Sequence, residues 1–207
     1  SYDMTYRYNE AAAVAERMVE LNPDSWQTHY ELARTLHNHA WYLRGTNYWR
    51  DVPAEGKRRF PSLVRRSMEE AQAALERNPH NPDCPVAIAV TLTEAGGANA
   101  EVERLCRKAL EIDPGHHWAY DALLRHYKPG WSNQHDKAMA LCREAAEKNP
   151  DDAYLQWLMA DYLLWYIGGD RSQTGLTMSE LLQKPEITEA IESSFDRALT
   201  LRPDQND

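Results

Sequence analysis

Five short segments of this 207-residue chain end alike: Leu21-Asn22-Pro23-Asp24, Arg77-Asn78-Pro79-His80, Ile112-Asp113-Pro114-Gly115, Lys148-Asn149-Pro150-Asp151 and Leu201-Arg202-Pro203-Asp204. Their spacing constrains the fold more than any other feature. The prolines lie 56, 35, 36 and 53 residues apart, which reads as a unit of about 34 residues with extra sequence in the first and last intervals. Upstream of each proline runs one apolar register. Five residues before it stand Met18, Ala74, Ala109, Ala145 and Ala198; eight before it stand Ala15, Ala71, Cys106, Cys142 and Phe195; twelve before it stand Ala11, Ser67, Val102, Ala138 and Ile191. Separations of three and four put these positions on one helical stripe, and their small side chains let a neighbouring helix come close.

Downstream, nine and ten residues after the first four prolines, come Leu32-Ala33, Ile88-Ala89, Leu123-Leu124 and Met159-Ala160, with Leu36, Leu92, Tyr127 and Leu163 a turn further on. Each proline therefore closes one helix, and a second amphipathic helix starts after a short turn. No segment alternates with period two, so strands are not expected. This spacing resembles the tetratricopeptide repeat, with a departure at Leu124, where that family usually has glycine or alanine. The resemblance implies an all-α, right-handed superhelical solenoid of antiparallel helix pairs, here with two insertions. The expected organisation is a single domain over 1–207. It comprises a leading helix 6–22, repeat 1 over 25–79 with an insertion at 39–63, repeat 2 over 82–114, repeat 3 over 116–150, and repeat 4 over 152–203 with an insertion at 168–186. Three further stretches, Ala40-Trp41-Tyr42-Leu43-Arg44-Gly45, Arg58-Arg59-Phe60 and Tyr127-Lys128-Pro129-Gly130-Trp131-Ser132, resemble an uncharacterised bacterial family of tetratricopeptide-like helices. That family implies no activity, cofactor or catalytic residue.

The first insertion concentrates aromatics, Trp41, Tyr42, Tyr48, Trp49 and Phe60, beside Arg44, Arg50, Lys57, Arg58, Arg59, Arg65 and Arg66. With Asp51 and Glu55 this stretch carries +5, so the net charge of −9 is a −14 framework bearing a basic insert. Aromatics that pack the insertion down, with cations paired to acidic helices, are the plainest reading. A second contact patch of Trp41, Arg44, Trp49, Arg50, Arg58 and Arg59 is the sharper one. Stacking of single-stranded bases is disfavoured, because the acidic framework opposes a polyanion. In the second insertion, Thr177-Met178-Ser179-Glu180 has capping-box spacing and predicts a short helix over Leu181-Leu182.

The sequence contains no phosphate-cradling glycine loop, zincin, nucleophile-elbow or calcium-loop spacing, so it is read as a non-enzyme without metal or cofactor. Residues one or two apart on a helix diverge, so His37-Asn38-His39 and His116-His117 are poor metal grips. Cys106 and Cys142, at equivalent repeat positions, read as packing groups. No stretch has the length of a membrane span or the pattern of an export signal, which suggests a cytoplasmic bacterial protein, or a periplasmic or secreted one if a segment before Ser1 has been removed.

In a solenoid the first helix of each pair lines the concave face. The register assigns to it Tyr30, Arg34, His37, Asn38, Trp118, Asp121, Arg125, Tyr154, Trp157, Asp161 and Trp165, with Glu94 and Lys128 on the same face. Rigid aromatics beside isolated charges suit a peptide or partner protein, and an interaction module is the leading functional expectation. The alternatives are an immunity-type inhibitor whose acidity blocks a basic toxin, and an enzyme or nucleic-acid accessory working through the basic aromatic insertion. At the two ends, Tyr2, Tyr6 and Tyr8 are candidates to shield the leading helix, and the closing helix is expected to bury Ile187, Ala190, Ile191, Phe195, Ala198 and Leu199.

Overall fold

A computed structural model describes residues 2–45, 49–97, 99–128, 130–168 and 178–201, and every regular element among them is helical. In chain order these are α1 (Tyr2–Leu21), α2 (Trp26–Arg44), a 3-10 turn (Trp49–Asp51), α3 (Ala54–Arg77), α4 (Asp83–Glu94), α5 (Asn99–Ile112), α6 (His117–Tyr127), α7 (His135–Lys148), α8 (Ala153–Gly168), α9 (Met178–Leu182) and α10 (Pro185–Leu201). They form two compact units, Ser1–Ile112 and Asp113–Asp207.

The recurring proline acts identically at four junctions. Helices α1, α3, α5 and α7 each end two residues before it, at Leu21, Arg77, Ile112 and Lys148. In each turn the carbonyl just before proline accepts a hydrogen bond from the N–H three residues on: Asn22 from Ser25 (3.1 Å), Asn78 from Asn81 (3.2 Å), Asp113 from His116 (3.1 Å) and Asn149 from Asp152 (3.2 Å). Proline suits the second position of such a turn because its φ is already set and it has no N–H to satisfy. The next helix then starts with little freedom in direction. Asp152 caps α8 by accepting from Leu155 N–H at 3.1 Å, and His116 caps α6 by accepting from Ala119 N–H at 3.3 Å.

In the first unit, α2 packs against α3, α1 against α2, and α4 against both α3 and α5. One core cluster joins Ala15, Leu32, Leu36, Ala40, Phe60, Leu63 and Val64. The small repeat positions Ala71, Ala74, Cys106 and Ala109 lie at helix crossings with 1 % exposure or less. The stretch expected as an insertion at 39–63 is largely helical: α2 continues to Arg44 and α3 begins at Ala54, so the helical hairpin itself is lengthened. Trp41 and Trp49 meet Phe60 edge-on with ring centroids 5.7 and 6.0 Å apart, and Arg44 lies 4.5 Å over the Trp41 ring. Tyr48 falls outside the described residues.

In the second unit, α7 packs against α6 and α8, and α10 lies along α8. The short α9 stands where the capping-box spacing put a helix; the start of the second insertion, 169–177, lies outside the described residues. The closing helix departs from the expected stripe. Ile191 and Ser194 are its buried residues, while Phe195 and Leu199 are 37 % and 42 % exposed. The reason is polar: Ser194 Oγ donates to Gln156 O at 2.5 Å and accepts from Ala160 N–H at 3.4 Å, which turns the serine toward α8 and moves Phe195 to the margin. At the other end, Tyr8 stacks on His39 with centroids 5.5 Å apart and meets Tyr42 at 5.0 Å, so it fills the α1–α2 seam and does not shield the outer face. The side chains of Tyr2 and Tyr6 lie outside the described residues.

Candidate functional site

The second unit places α6 and α8, first helices of successive pairs, so that residues three and four apart face a shared opening. Asp121, Leu124, Arg125 and Lys128 from the α6 side, with Tyr154, Asp161 and Tyr162 from α8, line a pocket of about 230 Å³. The sequence register puts Asp121, Arg125, Lys128, Tyr154 and Asp161 on one face; Leu124 and Tyr162 complete the lining.

The pocket's electrostatics are mixed. Tyr154 hydroxyl donates to Asp121 Oδ1 at 2.6 Å, and burial together with this bond pushes the phenol well above its ordinary range. Burial also raises the Asp161 carboxyl, with Lys128 opposing the shift and Asp121 adding to it. The Lys128 ammonium is lowered, first by burial and then by Arg125, against the pull of Asp161 and Asp121. Two carboxylates and two cations thus line one opening, with Tyr154, Asp161 and Lys128 partly desolvated.

Lys128 owes its place to the loop after α6. Ser132 N–H and Oγ both reach His126 O, at 3.0 and 2.7 Å, and Gln134 N–H donates to Tyr127 O at 2.9 Å. Gly130 at φ 89° and Asn133 at φ 52° make the reversal possible, since both angles lie in the left-handed region.

Aromatics flank the pocket. His117 stacks on Tyr154 at 4.5 Å and its Nε2 lies 2.6 Å from Asp152 Oδ2. Burial would raise the Asp152 carboxyl, but the His117 and Leu155 N–H bonds outweigh it and hold the group below its usual range. Trp157 is half-buried, between Tyr154 at 6.3 Å and Phe195 at 6.4 Å. Trp118 is half-buried on α6, and the Trp165 side chain lies outside the described residues.

In the first unit, the expected face residues do not form one group. Tyr30 is half-buried beside Trp26, and Arg34 is exposed and paired with Glu31 at 2.7 Å. His37 turns toward α4, its Nε2 3.4 Å from Glu94 Oε2, and the same carboxylate oxygen accepts from Trp41 Nε1–H at 2.6 Å. The register puts His37 and Glu94 on one face but does not join Trp41 to them, because Trp41 and Glu94 are 53 positions apart. His39 points away, against Tyr8, and Asn38 is exposed. The polar groups of 37–39 therefore diverge.

In the second patch, Arg59 reaches Glu55 at 3.5 Å and Asn9 at 3.3 Å, Arg50 reaches Asp51 at 3.3 Å, and Arg58 is exposed. Nearby, Arg66 reaches Glu16 at 2.6 Å. No three His, Cys, Asp or Glu side chains converge on a metal-sized site among the described residues. Among them, too, no helix is long and apolar enough to cross a membrane.

In fold the chain is similar to MamA, with a TM-score of 0.54 and 10 % identity over 95 % of this chain and 89 % of MamA. It is likewise similar to the human IFIT1 dimer with m7Gppp-AAAA, with a TM-score of 0.54 and 18 % identity over 95 % of this chain; it spans 39 % of the IFIT1 chain. YrrB, described as a TPR protein with an unusual peptide-binding site, aligns with a TM-score of 0.47 and 12 % identity over 98 % of this chain and 82 % of YrrB. No protein-family model matches the sequence, and no curated protein sequence matches it either. The fold is all-α and tetratricopeptide-like.

Proposed function

We propose that this chain is a protein-interaction module, and that its second unit holds a peptide or partner protein at the Asp121–Tyr154 pocket, with Trp118 and Trp157 as flanking aromatic contacts. The observation that carries this reading is the pocket's size together with its chemistry. About 230 Å³ falls below the ~300–1,000 Å³ typical of small-molecule sites and has room for a side chain. Asp121 and Asp161 accept hydrogen bonds from a basic side chain or a peptide N–H, Arg125 and Lys128 meet an acidic one, and the Tyr154 ring packs an aliphatic stem. Alternating acids and bases select a particular charge sequence in the partner. In the first unit, Tyr30, Arg34, His37 and Asn38 are exposed or half-exposed and offer a separate set of contacts.

IFIT1 is seen with m7Gppp-AAAA. In this chain the pocket sets two carboxylates among its cations, and Arg59 and Arg66 are engaged by acidic or amide groups, which supports a protein partner over a nucleic acid. The test is native co-purification from lysate with quantitative mass spectrometry, comparing the wild-type chain with an Arg125→Glu/Trp157→Ala variant of equal helicity. Loss of a defined set of partners from the variant is the expected result. Recovery of the same set by both proteins would refute the assignment.

A further inference from the structure

The outer face of α1 carries the inference. Helix α1 stands in the register of a second helix, so its Ala11, Val14 and Met18 correspond to Val102, Leu105 and Ala109 in α5 and to Ala138, Leu141 and Ala145 in α7. Those six counterparts are 2 % exposed or less, and their helices pack with the first helices of their pairs, α4 and α6. Val14 and Met18 are instead 61 % and 41 % exposed, and Met4 and Leu21, at 41 % and 62 %, extend the same stripe. Positions 4, 7, 11, 14, 18 and 21 alternate in steps of three and four, the spacing of a two-helix seam, with Arg7 as its polar member. Ala12, Ala15 and Val19, on the neighbouring flank, are already used against the first unit's core.

We propose that this seam is covered by α1 of a second copy of the chain, the two helices packing antiparallel about a twofold axis near residues 12 and 13. Charge selects this occupant and this direction. Antiparallel pairing sets Ala11 opposite Val14 and Met4 opposite Leu21, and it brings Glu10 beside Arg17 of the partner subunit, twice by symmetry. Parallel pairing would instead put Glu10 and Arg17 beside Ala15 and Asn22, with no ion pair formed. Arg17 holds Glu20 at 2.7 Å, but both side chains are more than 60 % exposed, and such a pair exchanges readily. Arg7 faces Met18 of the partner subunit and lays its aliphatic stem along it. The direction also agrees with the repeat, since the first helix of a pair runs antiparallel to the second, and the partner's α1 takes that position.

Sedimentation equilibrium or light scattering on the 207-residue chain tests this. A mass near twice 23.9 kDa is expected at protein concentrations on the order of 100 µM. Val14→Glu should return the monomer with helicity intact by circular dichroism. Glu10→Arg alone places like charges together twice and should weaken the dimer about tenfold. Adding Arg17→Glu restores opposite charges and should recover most of that loss. A monomer at the same concentration, a dimer indifferent to Val14→Glu, or a double reversal no better than the single one would each overturn the proposal. The charge reversals sit on exposed positions, so they keep the test decisive even if Val14→Glu disturbs folding.

Discussion

A buried histidine with two idle nitrogens is an unusual core residue, and His39 is one. It is 1 % exposed, neither ring nitrogen has a protein hydrogen-bond partner among the described residues, and Tyr8 stacks on it. Burial lowers its pKa, the nearby Arg59 lowers it further, and Glu55 partly opposes them. A histidine whose folded pKa lies below its unfolded value binds its proton more readily when unfolded. Stability is therefore full above the ordinary histidine range and declines as pH falls through it, until the folded value is passed. His39→Phe keeps the stacking and removes two unsatisfied polar atoms, so Tm should rise by about 2–4 °C at pH 7 and fall less than wild type between pH 7 and 5. Thermal melts at both pH values check this; an unchanged pH slope would show that His39 does not set it. The cysteines give a second residue-scale expectation. Burial pushes the Cys84 thiol up to about 11 and those of Cys106 and Cys142 up to about 12, so thiolate is scarce and shielded. A thiol reagent at pH 8 should label none of the three in native protein and all three in urea. Of these features the packing role of Cys106 and Cys142 was legible from their repeat positions, whereas the isolation of His39 was not, because it depends on Tyr8 from a different helix.

At the scale of elements, the sequence register located nearly every helix through its proline turns, because each turn is a local hydrogen-bonded unit that needs no tertiary partner. Between 39 and 63 the register has no repeat position to read, and there the outcome rests on contacts remote in sequence. Gly56 lets α3 approach the end of α2 so closely that a Cβ there would lie 2.4 Å from Leu43 O and 2.9 Å from Val52 Cγ1. A single glycine carries no such message in sequence. Nor does Pro61, the eighth residue of α3 and on its exposed face, although proline ordinarily reads as an interruption. Gly56→Ala should force these elements apart and destabilise by about 1–3 kcal/mol, measured by urea unfolding. A neutral outcome would mean that Leu43 can retreat at no cost. The α2–α4 contact depends on Glu94, whose side chain is 5 % exposed and serves Trp41 and His37 together. Glu94→Ala removes the acceptor of the half-buried Trp41 indole N–H and should cost about 2 kcal/mol, lowering Tm by about 4–8 °C. Glu94→Gln keeps an acceptor and should lose less. If the two substitutions are equally harmful, the carboxylate's charge and not its hydrogen bond holds the contact.

For the whole molecule, composition showed a −14 framework carrying a +5 insert, and the structure shows why that contrast does not form a free basic field. Arg59, Arg65 and Arg66 lie within 4 Å of Glu55, Glu69 and Glu16 on their own or a neighbouring helix. Most of the candidate pocket was legible for the same reason that the repeat was: Asp121, Arg125, Lys128, Tyr154 and Asp161 follow helical spacing from a proline turn, while Leu124 and Tyr162 read as core positions and reach the lining only in the fold. Salt distinguishes the two electrostatic contributions that remain. Added NaCl weakens exposed ion pairs, most of which contribute about 0–1 kcal/mol each, and it also screens the self-repulsion of a chain with net charge −9. These effects oppose each other. With the arginine and lysine pairs mostly exposed and mostly between near neighbours in sequence, the repulsion should win, so Tm should stay level or rise by a few degrees between 50 mM and 1 M NaCl, on the order of the shift that about 1 kcal/mol produces. Asp161→Asn separates the local from the global contribution. Its raised carboxyl pKa means that the ionised group opposes folding above the aspartate range, so the amide should stabilise modestly at pH 7, and that gain should vanish as pH falls and the wild-type carboxyl protonates. If Tm drops steeply with salt in both proteins, the paired cations and not the net charge dominate the electrostatics of this fold.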